Sequence, residues 1–247
     1  MASTLGIDVG GTSLKLARLS GDGTGLEQRA NRRTPPGLSP TDLVEHLVEL
    51  AERLRPFDQI GVGFPGPVSA GRVLDGANLT LRAGPGSDVD ATLAPQWRDF
   101  DLAGAIRRRL AVPVVVCNDA DVAALACATG NGRELTVTLG TGVGTGLVIG
   151  GRLAPHVEHS DTPLLGANSL DELVGEGTRK VIDAELWQER VRKVLEYLDE
   201  EVAFDRCYVA GGNARRVWRD GLGDLRSRIW VTSEPVGLLG CARLFSD

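Results

Sequence analysis

The chain has 247 residues, of which 42% are hydrophobic and 24% charged, so it is long enough for one large core or two modest ones. A net charge of −6 argues against a nucleic-acid partner. No apolar run approaches the roughly 20 residues of a membrane span, and MASTLGIDVGG lacks a basic and apolar leader, so we expect a cytoplasmic protein with no membrane partner. The four cysteines form no CxxC pair, which predicts buried small hydrophobes rather than a disulfide framework or a zinc site.

The first predicted element is a β-hairpin from Leu5 to Leu19 that turns at Gly10, Gly11 and Thr12. Alternating apolar residues follow the turn, so a strand leaves it, whereas a Rossmann fingerprint or a P-loop opens a helix. A glycine turn can point successive N–H groups at phosphoryl oxygens, and Asp8 before it could orient a hydrated magnesium ion. Taken alone, the turn is also compatible with a plain strand connection.

Residues 20–40 predict a turn, an edge strand and a loop. An amphipathic helix is expected from Thr41 to Leu54, with a Thr cap and with His46 as a solvated residue off the apolar stripe. Ile60 to Val68 predicts a short strand that ends in a Pro/Gly turn. The side-chain amide of Asn78, in the turn-rich segment that follows, could serve a ligand or simply form an Asx turn.

A continuous apolar run from Val112 to Cys117 predicts a buried strand of a mainly parallel sheet. The small residues from Ala120 to Ala128 predict a helix that Gly130 ends. Asn118 and Asp119 join the two elements. Ligands of open α/β sheets collect at the carboxyl ends of strands, so Asp119 is a candidate general base, although either residue could merely cap the helix.

The segment from Thr136 to Leu153 repeats the pattern of the first hairpin, with Gly140, Thr141 and Gly142 at its turn. Two copies about 130 residues apart indicate a duplicated domain with two phosphate-facing turns. Further along, Trp187 to Leu198 carries the apolar stripe of a long helix.

Near the C-terminus, CYVAGGNARRV predicts a strand, a turn at Gly211 and Gly212, and the start of a helix whose N-terminus would favour phosphate. Arg215 and Arg216 follow this turn, with Arg219 in the next segment. Val236 to Phe245 predicts a closing helix.

Six short pieces, in family order through almost the whole chain, resemble the ROK family of sugar kinases. They are IDVGGTSLKLA at Ile7, GFPGPV at Gly63, AN at Ala77, NDADVAAL at Asn118, LGTGVGTGLVIGGRL at Leu139 and VAGGNARRV at Val209. Within that family the sequence looks most like the polyphosphate glucokinases.

The resemblance implies a duplicated actin-like ATPase fold of the ribonuclease H-like α/β class, with two lobes around a cleft. We expect an N-terminal lobe of residues 1–117 and a C-terminal lobe of residues 118–247, with the C-terminal helix packing back toward the N-terminal lobe. A homodimer is also what the family implies.

The resemblance further implies a kinase that transfers a phosphoryl group from polyphosphate, ATP or both to the primary hydroxyl of glucose or a glucose-like polyol. Asp119 would be the catalytic base. Asn78, Asn118, Asp119 and Glu158 would bind the sugar, together with Asp161, which stands at a sugar-binding position of the family. The phosphoryl donor would contact Asp8, which also holds Mg²⁺, and Gly10, Gly11, Thr12, Lys15, Gly140, Thr141, Gly142, Gly211, Gly212, Arg215 and Arg216.

Two departures from the family matter. No cysteine lies between Glu158 and Lys180, where many members carry a zinc motif, so we expect no zinc. The family sequence Glu-x-Gly-His is Glu158-His159-Ser160-Asp161 here, which places Asp161 at the histidine position. Either the acceptor differs from glucose, or His156 or His159 approaches from a shifted register; both histidines could instead be exposed loop residues.

Three questions of function stay open at this level. The acceptor could be an amino sugar or a cyclitol, or the chain could be a non-catalytic sugar-binding protein of the ROK type. ROK repressors carry an N-terminal helix-turn-helix, whereas this chain begins with a hairpin strand, so we expect a kinase. The motifs do not separate the two donors, although Arg179, Lys180, Arg215 and Arg216 would favour polyphosphate if they line one groove.

Overall fold

The computed structural model describes residues 2–84, 87–164, 166, 168–233 and 235–246. The chain divides into two compact units, Met1–Val122 together with Gly237–Asp247, and Ala123–Val236. Each unit contains a five-stranded sheet. Within the described ranges, no helix combines the length and the apolar character that crossing a membrane requires.

The sheet of the first unit begins with the predicted glycine hairpin, β1 (Thr4–Val9) and β2 (Ser13–Leu19), and continues with β3 (Leu26–Arg33) and β4 (Gln59–Phe64). A short hairpin of β5 (Val68–Ser69) and β6 (Arg72–Val73) precedes the last strand, β7 (Val114–Asn118). The spatial order is β3-β2-β1-β4-β7. Neighbours pair antiparallel from β3 to β1 and parallel from β1 to β7, so the carboxyl ends of β1, β4 and β7 share one edge.

The described part of the first unit contains the helices α1 (Pro40–Glu52), α2 (Ala94–Trp97) and α3 (Leu102–Leu110), and α4 (Asp119–Cys127) begins in it and continues into the second unit. The predicted start of α1 at a Thr cap is wrong. The Ser39 hydroxyl accepts from the backbone N–H of Asp42 at 3.1 Å, and Pro40 occupies the first turn, where its fixed φ suits a helix.

His46 on α1 is also not a freely solvated residue. Its Nδ1 lies 2.7 Å from Nη1 of Arg32, so β3 and α1 are joined at this point. The core of the unit lies between these elements and includes Ile7, Leu47, Ile60, Phe64, Trp97 and Ile106.

The chain returns to the first unit at its C-terminal end. Helix α8 (Val236–Leu239) is followed by a 3₁₀ segment, Gly240–Phe245, instead of one continuous helix. Cys241 on this segment packs against β1 and β4. A Cβ on Gly61 would lie only 2.6 Å from the Cys241 carbonyl oxygen, so β4 needs a glycine there.

The sheet of the second unit is built from β8 (Arg133–Leu139), β9 (Val143–Ile149), β10 (Arg152–Leu153), β13 (Arg206–Ala210) and β14 (Ile229–Val231). A small hairpin of β11 (Pro163–Leu164) and β12 (Asn168–Ser169) lies apart from it. The spatial order is β10-β9-β8-β13-β14, antiparallel from β10 to β8 and parallel from β8 to β14. This is the order and direction of the first sheet, which confirms the predicted duplication.

Besides the end of α4, the described residues of the second unit form the helices α5 (Leu170–Val174), α6 (Glu176–Arg179) and α7 (Ala184–Val202). The apolar face of α7, with Trp187, Val191 and Leu195 buried, packs into the core of this unit. The helix predicted after Gly212 is not formed. Ala214–Arg216 is a single 3₁₀ turn that ends at the extended Val217, so it has no helical N-terminus to offer a phosphate.

Candidate functional site

The end of β7 carries the first part of the site, because two polar residues follow its apolar run. Asn118 is 5% exposed, and its Oδ1 accepts from the backbone N–H groups of Ala120 at 2.8 Å and Asp121 at 3.3 Å. Its Nδ2 donates to the carbonyl of Gly66 at 3.2 Å. Asn118 therefore caps α4 and also fixes the loop that follows β4.

Asp119 is the half-buried first residue of α4. Its Oδ1 accepts from the N–H of Ala120 at 2.8 Å. A Cβ on Gly63 would lie 3.3 Å from Cα of Asp119, so β4 passes close to this residue. Because Asn118 already caps the helix, the Asp119 carboxylate stands in the first turn at the carboxyl edge of the sheet, a position that the helix dipole makes favourable for an anion.

The Gly66 loop connects this strand end to a second turn. A Cβ on Gly66 would lie 3.0 Å from the carbonyl oxygen of Asp75 and 3.4 Å from Cβ of Ala77. Asn78 is the next residue, in the 3₁₀ turn Ala77–Thr80. The structure thus joins Asn78 to Asn118 and Asp119 through the backbone around Gly66.

The turn between β1 and β2 contacts Asn78 directly. A Cβ on Gly11 would lie 3.0 Å from Cβ of Asn78. The turn is held from its other side by Thr34, whose hydroxyl donates to the Gly10 carbonyl at 2.6 Å and whose N–H donates to the Thr12 carbonyl at 3.1 Å. Predicted donor and sugar residues of the first unit are therefore neighbours.

Asp8 and Lys15 face each other across the first hairpin, with Nζ of Lys15 2.9 Å from Oδ2 of Asp8. In the sheet Asp8 pairs with Gly63, and Gly63 pairs with Cys117, which immediately precedes Asn118. Two strand spacings separate Asp8 from the end of β7, about 10 Å.

The resemblance noted in the sequence implies Mg²⁺, and the carboxylate of Asp8 is a ligand that fits that ion. Magnesium is commonly held by one or two carboxylates, with water and phosphate oxygens completing its octahedron. The Asp8 side chain is 20% exposed, so it can reach such an ion from the sheet edge. No group of three His, Cys, Asp or Glu side chains within the described ranges is arranged to hold a metal, so water and phosphate would supply the remaining ligands.

The second glycine turn, between β8 and β9, has its carbonyl oxygens occupied from behind. Asn213 donates from its N–H to the Leu139 carbonyl at 2.9 Å and from Nδ2 to the Gly140 carbonyl at 3.2 Å. The N–H of Glu176 donates to the Thr141 carbonyl at 3.1 Å. In a planar trans peptide the N–H points opposite to the C=O, so the N–H groups of Thr141 and Gly142 face the other side of the turn. Two adjacent N–H groups of this kind suit an anion.

Gly211 and Gly212 follow β13 at the same sheet edge, since Ala210 pairs with Thr138 of β8. Gly211 has φ of 91°, and a Cβ there would lie 2.5 Å from the Leu139 carbonyl oxygen. Arg215 and Arg216 come next and are exposed.

A group of carboxylates lies next to the second turn. Asp171 on α5 accepts from the N–H of Val143 at 2.5 Å, and a Cβ on Gly142 would collide with its carboxylate. Burial raises the pKa of Asp171 to about 6, helped by the negative charges of Asp161 and Glu158 and opposed by the Val143 N–H. The charges of Glu158 and Asp161 thus act on a carboxyl group that contacts the second glycine turn.

Asp161 itself is exposed, whereas His156 is 18% exposed, with Nε2 3.7 Å from Oε2 of Glu158. The nearby His156 imidazole lowers the pKa of Glu158. The nearest described histidine contact of Glu158 is therefore His156. The interpretation of His156 as an exposed loop residue is wrong, because it packs against the carboxylate two residues along.

The profile of the ROK family matches residues 4–156, more than half of the chain. The chain belongs to the ROK family. Among curated relatives, a glucokinase of Streptomyces coelicolor is 29% identical over 161 residues, which are 62% of this chain and 45% of that protein. A polyphosphate glucokinase of Mycobacterium leprae is 25% identical over 87% of this chain and 64% of its own length.

A third ROK-type relative, the kanosamine kinase of Amycolatopsis mediterranei, is 33% identical over 61% of this chain and 47% of its own length. The chain therefore spans about half the length of the first relatives it matches. The solved inorganic polyphosphate/ATP-glucomannokinase of Arthrobacter sp. strain KM superposes with a TM-score of 0.79 at 24% identity, covering 99% of this chain and 98% of that one. This likeness confirms the predicted actin-like ATPase fold.

Sequence reasoning missed four residues that hold the turns of this ROK chain: Thr34, Asp171, Glu176 and Asn213. Two signals were available. An Asn directly after a diglycine is well suited to bind nearby backbone groups. The pattern Ser169-x-x-Glu172 is a capping box, which the structure contains, and it would have predicted α5 and placed Asp171 in its first turn.

Proposed function

We propose that this chain is a sugar kinase that transfers a phosphoryl group from inorganic polyphosphate, ATP or both to the primary hydroxyl of glucose or a glucose-like polyol. The single observation that best supports this is the placement of Asp119. It stands at the carboxyl end of β7, in the first turn of a helix that Asn118 caps. Asn118 also binds the carbonyl of Gly66, and the loop at Gly66 packs against the turn that carries Asn78, which lies close to Gly11. The relatives named above are sugar kinases, which supports the same reaction class.

In this proposal Asp119 orients the acceptor hydroxyl and accepts its proton as the phosphoryl group transfers, because phosphoryl transfer depends mainly on positioning and charge stabilisation. Asn78, which lies beside the first turn, binds the sugar. The N–H groups of Thr141 and Gly142 stabilise phosphoryl oxygens. A magnesium ion at Asp8 supplies further charge neutralisation when it is bound.

Asp119→Asn tests the assignment, because an amide cannot accept the hydroxyl proton. The expected loss in turnover is about 10²- to 10⁴-fold, with unfolding behaviour retained. The measurement is a coupled assay that crosses ATP and polyphosphate with a small panel of sugars. Asp101→Asn is the matched control, since Asp101 caps α3, where Asn caps equally well, and its other contact is an exposed ion pair with Arg108. If Asp119→Asn turned over as fast as the wild type, Asp119 would not be the general base. If the wild type showed no turnover with any combination of donor and sugar, a non-catalytic sugar-binding protein would be favoured.

A second acceptor class, amino sugars or cyclitols, is supported by the carboxylates of the second unit. Glu158 and Asp161 both add to the raised pKa of Asp171, so negative charge is concentrated there. An ammonium group would relieve it, and a charge-assisted contact of roughly 1.5–3 kcal/mol would favour an amino sugar by about ten- to a hundredfold. The kanosamine kinase relative is consistent with this class.

Asp161→His restores the family residue and separates the two acceptor classes. If Asp161 contacts the acceptor, the variant should shift preference from glucosamine toward glucose, measured as the ratio of the two kcat/KM values. An unchanged ranking of acceptors would remove Asp161 from the sugar site and leave His156, beside Glu158, as the group to test next.

A further inference from the structure

Glu176, on α6, has a charge arrangement that the proposed reaction does not require. Its Oε2 accepts from Nε of Arg179 at 2.6 Å and from Nδ2 of Asn213 at 3.0 Å. Its Oε1 accepts from Nη2 of Arg179 at 2.9 Å and lies 3.3 Å from Nζ of Lys180. One partly buried carboxylate therefore holds two cations and one amide.

Glu176 also supports the second glycine turn, between β8 and β9, through two contacts. Its backbone N–H binds the Thr141 carbonyl, and Asn213, which its carboxylate fixes, binds the Gly140 carbonyl. Asn213 is 7% exposed, so its orientation is set by these partners and not by water. Glu176 consequently supports the peptide planes whose N–H groups would face a phosphoryl donor.

The ion pair between Glu176 and Arg179 has the geometry of a guanidinium that binds a phosphate. Arg179 uses Nε and Nη2 together, the bidentate geometry with which a guanidinium binds either a carboxylate or a phosphate. The Arg179 guanidinium, with Asn213 and Lys180, lowers the pKa of Glu176 to about 2, so the carboxylate is charged at any pH near neutrality. A polyanion that bound Arg179 or Lys180 would have to replace the Glu176 carboxylate as their partner.

We propose that Glu176 sets the choice of phosphoryl donor by restraining Arg179 and Lys180. Because these two cations are paired with Glu176, the wild-type chain binds a long polyanionic donor less tightly than it would if they were unpaired. This inference rests on the proposed function. The terminal phosphates of ATP and of polyphosphate meet the same glycine turn, whereas only a long chain extends to further cations, which here include the exposed Arg215 and Arg216. Removing the charge of Glu176 should therefore help polyphosphate more than ATP.

Glu176→Gln tests this, because Gln keeps the backbone contact to Thr141 and an oxygen for Asn213. The affinity for inorganic polyphosphate should rise about fivefold, the upper range for a partly exposed ion pair. Its log–log salt dependence should steepen by about one unit for each cation newly engaged. The KM for ATP should change less than the KM for polyphosphate.

The measurements are direct binding of inorganic polyphosphate by titration calorimetry at several salt concentrations, and KM and kcat with each donor. Glu196→Gln is the matched control, because it breaks the i,i+4 ion pair with Arg192 on α7 and changes the net charge equally. An equal gain in polyphosphate affinity by Glu196→Gln would mean that net charge alone causes the effect, and this would overturn the proposal. A rise of both KM values with a fall in kcat would make Glu176 a purely structural support and overturn the proposal, as would unchanged or absent polyphosphate binding.

Failure of the proposed function gives a different result. If the wild type phosphorylates no sugar with either donor, the kinase assignment fails, while the calorimetric comparison of Glu176→Gln with the wild type still decides whether Glu176 restrains these cations.

Discussion

The two glycine turns have the same place in two sheets of the same topology, yet they carry different chemistry. In the first hairpin, the second-to-last residue of β1 is Asp8, which pairs with Lys15 of β2. In the second hairpin, the equivalent pair is Thr138 of β8 and Gly144 of β9. These strand positions thus carry charge beside the first turn and neutral groups beside the second. The two copies share the glycine turn, while the Asp8–Lys15 pair occurs at this strand position in the first copy and not in the second.

The supports of the turns differ as well. Thr34 binds the first turn with its hydroxyl and its backbone. The second is held by Asn213 and Glu176, with the carboxylate of Asp171 against Gly142. Charge that is absent from this strand position of the second hairpin is therefore supplied by Asp171 on α5 and Glu176 on α6, which contact its turn.

The largest expected difference between the turns comes from removing Asp8. Asp8→Asn should lower turnover about 100-fold and raise the magnesium concentration needed for half-maximal rate, because a carboxylate oxygen is lost from a hard cation. Thr138→Ala, the same position in the other hairpin, should change turnover less than about threefold. Titration of the rate with magnesium for both variants measures this, and equal effects at the two positions would show that the copies are not specialised.

A smaller effect, on stability, is expected at the second turn. Gly211→Ala forces φ of 91° on an L-residue and brings its Cβ against the Leu139 carbonyl, so it should cost about 2 kcal/mol or more. A Cβ on Gly140 meets nothing within 4 Å, so Gly140→Ala should cost less than about 0.5 kcal/mol. Urea unfolding midpoints of the two variants give the comparison; similar midpoints would contradict the contact between Gly211 and the turn.

The smallest effect is the pH dependence that Asp171 gives to the second unit. Burial raises its pKa from 3.8 to about 6, so its contribution to stability is fully present below about pH 4 and is lost as pH rises through about 6. Asp171→Asn should therefore be more stable than the wild type at pH 8, by about 1 kcal/mol, and should lose that advantage at pH 4.

Denaturant midpoints between pH 4 and pH 8 measure this dependence. The exposed Asp224→Asn, in the same unit, is the control and should change the midpoint little at any pH. An advantage of Asp171→Asn that did not vary with pH would mean that the carboxyl keeps one protonation state throughout.

Local sequence was sufficient for the elements around the turns. The alternating residues from Leu14 to Leu19 and the apolar run before Asn118 are strand signals that need no distant partner. Two predictions, the start of α1 and a helix after Gly212, were wrong for local reasons too. Ser39 caps α1 and Pro40 occupies its first turn, and the chain becomes extended at Val217 after one 3₁₀ turn.

The sequence by itself determined the duplicated hairpins, the strand that ends at Asn118 and Asp119, and membership of the ROK family, because each depends on short-range periodicity or on contiguous motifs. Only the tertiary structure decided what holds the second turn. Val143 and Asp171 are 28 residues apart, and Gly140 and Asn213 are 73 apart. Contacts over such separations depend on how strands and helices pack, and a side chain that completes a distant hydrogen bond leaves no periodic pattern in its own segment.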